Sequence, residues 1–240
     1  MYRSLSLILL ILLIVFAAIQ ITLPSRDSTH QVFNDSKNVE FESGVRRLRD
    51  GTVEVASLVS MPGVTSDMFR WWFSDYLQTT EHYRMWHPED HVWMGWEHKT
   101  QGKITGSHHL VHEYIGGDLM KLRIQFAWPQ EILGYDPTDE NTVAICARVG
   151  ELESSLNIAE MCHVARNTPS GAELRSRFWL GVISDRDAAG WQNFLLSLLA
   201  NNPISRQFAV SETEGINLHK HCMEEMSYLA DLLPAIYKED

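Results

Sequence analysis

Toward the C-terminus, Ile216 to Tyr237 reads as one long amphipathic helix, and such a helix needs a surface of matching length to cover its apolar face. The segments before it supply that surface. Thr52 to Met61 alternates as a strand, and Gly106 to Tyr114 and Met120 to Phe126 flank a Gly116-Gly117-Asp118 turn. In the second of these, Leu122, Ile124 and Phe126 share one face, and Lys121, Arg123 and Gln125 the other. Thr142 to Val149, Ile158 to Asn167 and Glu173 to Gly181 read as further strands, the last two joined by Thr168-Pro169-Ser170-Gly171. Strands in succession with short turns make an antiparallel sheet.

The expected fold is therefore α+β of the helix-grip type (Bet v-like, START-like), a curved antiparallel sheet around the long C-terminal helix with a cavity between them. Shorter helices are expected after Thr65 or Ser66 as N-cap, within Trp128 to Asn141, and over Asp187 to Leu199. The stripe Met68, Trp71, Trp72 and Tyr76 has helical spacing and reads as a face packed on the sheet.

The 240 residues suffice for one well-packed domain, and no fixed-period repeat divides them. A net charge of −11 with no basic stripe argues against nucleic acid or an anionic membrane surface as partner. Residues 1–23 read as a signal peptide or membrane anchor: Arg3 precedes an apolar run from Leu5 toward Leu23. Phe16, two before Ala18, makes a poor cleavage signal and favours an uncleaved anchor. Residues 24–45 read as a tether and 46–240 as the folded domain. The protein is expected to be exported, membrane-anchored or periplasmic/extracellular, with its N-terminus membrane-inserted or removed. Three cysteines (Cys146, Cys162, Cys222) permit at most one disulfide, form no Cys-x-x-Cys pair, and are expected to serve as small buried hydrophobes.

The chemistry-bearing stretch is Leu218-His219-Lys220-His221-Cys222-Met223-Glu224-Glu225. On a helix, His221 and Glu225 stand one turn apart with about 6 Å between Cβ atoms, close enough to share a metal ion. Alone, such a pair is more often a solvated surface pair. Other candidates lie on other elements: His87 and His91 on a loop after Pro88 interrupts helix, His109 and Glu113 on one strand face opposite His108 and His112, and His163 on a later strand. His219 and Glu224 are weaker rivals on the helix.

Five motifs then point one way. Tyr83-Arg84-Met85-Trp86-His87-Pro88-Glu89-Asp90-His91, preceded by Met68-Phe69-Arg70-Trp71-Trp72-Phe73, is followed by Glu113-Tyr114-Ile115-Gly116-Gly117, Arg175-Ser176-Arg177-Phe178-Trp179-Leu180-Gly181 and His221-Cys222-Met223-Glu224-Glu225-Met226. Together they resemble the 2,4-diacetylphloroglucinol hydrolase family, which includes phloretin hydrolase-like enzymes, over most of residues 52–237. The resemblance implies a zinc ion (Zn2+) held by His91, Glu113, His221 and Glu225, with Tyr83 and His163 as catalytic residues and His87 as a rival to His91. It implies hydrolysis of a carbon–carbon bond between an acyl group and a phenolic ring, on a small aromatic acylated phenol. A second pocket tyrosine of the family falls near Phe178, so one phenolic contact is absent. The sequence leaves a homodimer open. The alternative is a non-catalytic helix-grip domain that binds a hydrophobic ligand while tethered to the membrane; it needs the cavity but not four metal ligands.

Overall fold

The architecture is set by one sheet and one helix, seen in a computed structural model that describes residues 23–34, 39–186 and 199–239. The eight strands are β1 (Gly44–Arg47), β2 (Val53–Pro62), β3 (His91–Glu97), β4 (His108–Ile115), β5 (Asp118–Ala127), β6 (Thr142–Glu151), β7 (Leu156–Thr168) and β8 (Gly171–Asp185). All pair antiparallel in the order β1-β2-β8-β7-β6-β5-β4-β3. Among the described residues the α-helices are α1 (Arg26–His30), α2 (Ser66–Trp71), α3 (Thr80–Trp86), α4 (Pro129–Leu133), α5 (Pro203–Ala209) and α6 (Glu212–Glu239). This is the helix-grip fold, with α6 across the sheet's concave face.

α6 starts four residues earlier than its hydrophobic pattern suggests, because Ser211 and Glu214 form a reciprocal cap. The Glu214 carboxylate accepts from the Ser211 N–H at 2.8 Å, and Ser211 Oγ accepts from the Glu214 N–H at 3.1 Å. Cys222, Met226, Leu229 and Leu233 are its buried stripe, in one core with Val55, Val59, Phe69 and Trp72. Two glycines let it lie close. A Cβ on Gly215 would stand 2.8 Å from Val45 Cγ1, so the helix start rests directly on β1 and β2. Gly116, in the β4–β5 turn with φ +65°, leaves only 2.1 Å between a would-be Cβ and Asn217 Nδ2 of α6.

α2 is capped by Thr65, whose side chain accepts from the Met68 N–H, and runs on through a π-helical turn over Trp72–Tyr76. That extra residue turns Trp72 into the core, while Trp71 meets Tyr237 of α6 edge-on at 5.1 Å. α3 and β3 replace the expected loop: only residues 87–90 are non-repetitive, between a helix capped by Thr79 and a strand that opens on His91. The aromatic and polar residues of β3 mask its alternation, and a register shift between His91 and Trp93 disturbs it further.

The outer face of the sheet carries a second core, and there two expectations are corrected. Within residues 24–45, expected as a tether, the described segments 26–33 and 44–45 pack on the sheet. Phe33 packs with Cys146, Cys162, Val164 and Trp179, the Trp179 indole N–H donates to Thr29 Oγ1 at 2.8 Å, and Tyr135 donates to the His30 carbonyl at 2.7 Å. β1 adds an edge strand, held by Arg46 on the buried Glu54 carboxylate at 2.6 Å. Two of the three cysteines are also more than buried hydrophobes: Cys146 and Cys162 oppose each other on β6 and β7 and form a disulfide, while Cys222 is free and buried. A pairing of that kind depends on strand register, which cysteine spacing alone does not reveal.

The expected N-terminal signal or anchor falls mostly outside the described residues, as does most of the helix expected at 187–199. Among the described residues no helix is long and apolar enough to cross a membrane.

Because Phe33 plugs the outer core, Phe33→Ala is expected to lower the unfolding free energy by about 3 kcal/mol in urea titration. An unchanged midpoint would show that residues 26–33 do not hold the sheet.

Candidate metal centre

Four side chains from three elements meet under α6. His91 opens β3 directly opposite Glu113 of β4 in register, and His221 and Glu225 descend from one face of α6. His91 Nε2 stands 3.8 Å from Glu113 Oε2 and 3.6 Å from Glu225 Oε2. His221 Nε2 stands 3.9 Å and 4.0 Å from the same two oxygens. All four residues are buried.

Both imidazoles are oriented from behind. His91 Nδ1 donates to the Tyr83 carbonyl at 2.9 Å, and the Tyr83 ring stacks on His91 with centroids 3.7 Å apart. His221 Nδ1 donates to Asp90 Oδ2 at 3.2 Å. With Nδ1 protonated in each ring, the Nε2 lone pairs face the carboxylates. Neither Nε2 has a hydrogen-bond partner. The Tyr83 hydroxyl donates to Glu113 Oε2 in a very short hydrogen bond, and the Trp86 indole N–H holds the Glu225 carbonyl at 2.8 Å.

The titration of the cluster reflects crowding. Burial pushes the Glu225 carboxyl up to about 7 despite nearby His221 and His87, and burial lowers His91 to about 4. For His221, burial pulls downward but is outweighed by Glu225, Glu113 and Asp90, which raise it. Two buried carboxylates facing two unpartnered lone pairs fit a divalent cation, which satisfies all four at once and brings the sum of charges to zero. Nitrogen and oxygen ligands about 2.0–2.2 Å from a tetrahedral ion stand roughly 3.3–3.6 Å apart, and the observed 3.6–4.0 Å edges lie just outside that spacing.

Among the described residues, His91, Glu113 and His221 bring one ligand atom each within 4.8 Å of one another, with Glu225 beside both imidazoles, and two other groups of three come as close. Glu97, His98 and His108 lie toward the surface, at the opposite end of the β3–β4 hairpin. His87, Asp90 and His221 form the other, but His87 Nδ1 accepts the Asp90 N–H at 3.2 Å, so the neutral ring carries its proton on Nε2, 3.7 Å from Asp90 Oδ2. His87 therefore supports Asp90 and does not offer a lone pair to the cluster. His219 and Glu224 point elsewhere, the first to Ser43 Oγ at 2.8 Å and the second toward Lys220.

Glu113, His221 and Glu225 of the cluster border one end of a cavity of about 390 Å3, lined also by Tyr83, His109, His163 and Phe178, with His91 behind them. His163 lies on the sheet wall, its Nδ1 paired with Ser176 Oγ at 2.7 Å and its ring edge-on to Phe178. Burial lowers its pKa to about 3, so it is a neutral imidazole at physiological pH. Sequence reasoning singled out neither Asp90 nor Ser176; His109, a strand candidate, is buried and stacked on Trp96, on the cavity wall. Asp90 lies inside the quoted His-Pro-Glu-Asp-His motif; only the tertiary pairing with His221 gives it a role.

Fold and site together define a helix-grip protein with a buried two-histidine, two-carboxylate centre at the end of an apolar cavity. The chain belongs to the DAPG hydrolase (PhiG domain) family, whose model matches residues 23–238. It is 29% identical over 215 residues to 2,4-diacetylphloroglucinol hydrolase from a Pseudomonas species, covering 84% of this chain and 72% of that protein. It is 27% identical over 201 residues to phloretin hydrolase of Eubacterium ramulus, covering 80% and 69%. Among solved structures, major latex-like protein 151 of Panax ginseng aligns with TM-score 0.38 at 14% identity, over 70% of this chain and 97% of that one.

Elemental analysis of the purified chain is expected to find about one divalent metal per molecule, lost in His91→Ala and His221→Ala. Asp90→Asn should weaken metal affinity about 10- to 100-fold, whereas His87→Ala should keep full occupancy. Stoichiometric metal in His221→Ala would remove that residue from the ligand set.

Proposed function

We propose that this protein is a zinc-dependent hydrolase that cleaves the carbon–carbon bond between an acyl group and a phenolic ring. The observation that carries the reading is the pair of buried, unpartnered Nε2 atoms facing Glu113 and Glu225 at the closed end of an apolar cavity. The family relatives named as hydrolases of 2,4-diacetylphloroglucinol and phloretin support the substrate class.

In this reaction water's hydroxyl ends on the acyl carbon and its proton on the ring carbon, releasing a carboxylic acid and the deacylated phenol. Carbon leaves only if the ring carbon is protonated as the bond breaks. His91, Glu113, His221 and Glu225 would hold a divalent cation, which would supply Lewis acidity beside the acyl group. The ring lies among Phe73, Phe126 and Phe178, where apolar walls exclude bulk water and strengthen each polar contact at the head. Burial and the Glu113 charge raise the Tyr83 pKa well above that of an ordinary phenol, so its hydroxyl stays protonated and is not a base; once Glu113 turns its lone pairs to a cation, that O–H is free to donate to a substrate oxygen. His163, neutral and paired with Ser176, relays a proton without storing charge.

A carrier role accounts for the cavity but leaves the converging ligands unexplained. We also read the protein as exported; the N-terminal apolar run and the Cys146–Cys162 disulfide support an oxidising compartment, and cell fractionation tests it.

With an acylated phloroglucinol as substrate and acid release as readout, Tyr83→Phe should retain metal but lose about 10²- to 10³-fold in kcat. Glu225→Ala should lose metal and turnover together. Full turnover in metal-depleted Glu225→Ala would sink the proposal.

A further inference from the structure

The polar groups of the cavity are confined to its two ends. On α6 the residues that border it run Glu214, Asn217, Leu218, His221 and Glu225. Glu214 is exposed and Glu225 buried, so the helix marks a path from mouth to metal centre. At 1.5 Å per residue, Glu214 and His221 are about 10 Å apart along the axis. Asp118 in the β4–β5 turn and the exposed Ile158 share the mouth with Glu214. Between mouth and centre the walls are apolar: Met120, Leu122 and Ile124 along one face of β5, Val149, Leu180, and Leu218 from above. Among the described residues no lysine or arginine borders the cavity. Phe178, on the inner face of β8, adds a ring without a hydroxyl.

A compact acylphenol seated at the His/Glu centre would leave most of this apolar length unfilled. We infer that the substrate carries one long, uncharged, apolar substituent, laid between α6 and β5, with its acylphenol head at the His/Glu centre. About 10 Å accommodates a chain of about six to eight carbons. The mouth carboxylates of Asp118 and Glu214, with no lysine or arginine among the described residues bordering the cavity beside them, select against a substituent ending in an anion. This inference rests on the hydrolase reading for the identity of the head group, while the tail channel stands on the cavity alone.

Two series on the metal-loaded full chain separate them. Titration calorimetry with 4-alkylphenols, from ethyl to decyl, should show Kd falling about three- to fourfold per methylene and levelling between hexyl and octyl. Turnover of 2,4-dihydroxyphenyl alkyl ketones of matched chain length should show kcat/KM rising in parallel. A terminal carboxylate on the longest chain should reverse most of the gain, and Leu218→Trp should move the levelling point to shorter chains. Chain-independent Kd overturns the channel, and turnover of the acetyl compound alongside it would leave the hydrolase reading intact. Chain-dependent Kd with no turnover at any length supports the channel and overturns the hydrolase reading. A levelling point unmoved by Leu218→Trp overturns the path assigned here.

Discussion

Two buried imidazoles, each with its Nε2 within 4.0 Å of the same two buried carboxylates, are the costly feature around which this fold is arranged. Left to protons alone they frustrate one another, with one carboxyl forced toward neutrality and one imidazole toward charge. A dication resolves the conflict, but only if the ligands are already aimed. The aiming is distributed: Tyr83 behind His91 and Glu113, Asp90 behind His221, and Trp86 on the α6 backbone beside Glu225. All three come from the short run of α3 and its following turn. That run is the bracket that joins the β3–β4 hairpin to the helix.

The sheet has to be stiff for this to work, since β3 is an edge strand and α6 touches chiefly β1 and β2 at the other edge. The strands between them carry cores on both faces. On the concave side lie the α6 stripe and the cavity lining; on the convex side, Trp179, the Cys146–Cys162 bridge and the N-terminal segment seated over them. The buried His/Glu cluster thus depends on residues far from it in sequence and on the opposite side of the sheet.

Most of the sheet and the long helix were legible because period-two alternation and a single apolar stripe survive in the residues themselves. His221 and Glu225 were legible for the same reason, a helix fixing their spacing. What the chain alone hid was tertiary. Residues 24–45 look like a tether by composition, yet Thr29, His30 and Phe33 are buried by partners more than a hundred residues away. β3 was concealed by its own aromatics, and the disulfide by the register of β6 on β7. Asp90 and Ser176 are ordinary polar residues until the fold sets a histidine against each. His87 and His91, equal in sequence, are separated only by which ring nitrogen each has already committed.

Gly116 shows how far the site's tolerances extend. It reads as turn punctuation, and its positive φ would justify it there. But it also spaces β4 from α6: the turn and Asn217 are in contact with no room for a methyl group. Glu113 lies three residues before that glycine on the strand, and His221 four residues after Asn217 on the helix. The contact therefore works as a shim between the strand that carries Glu113 and the helix that carries His221. A methyl group added there would press on Asn217 as far down as its Cβ, so side-chain rotation alone would not clear it and the two elements would have to part slightly.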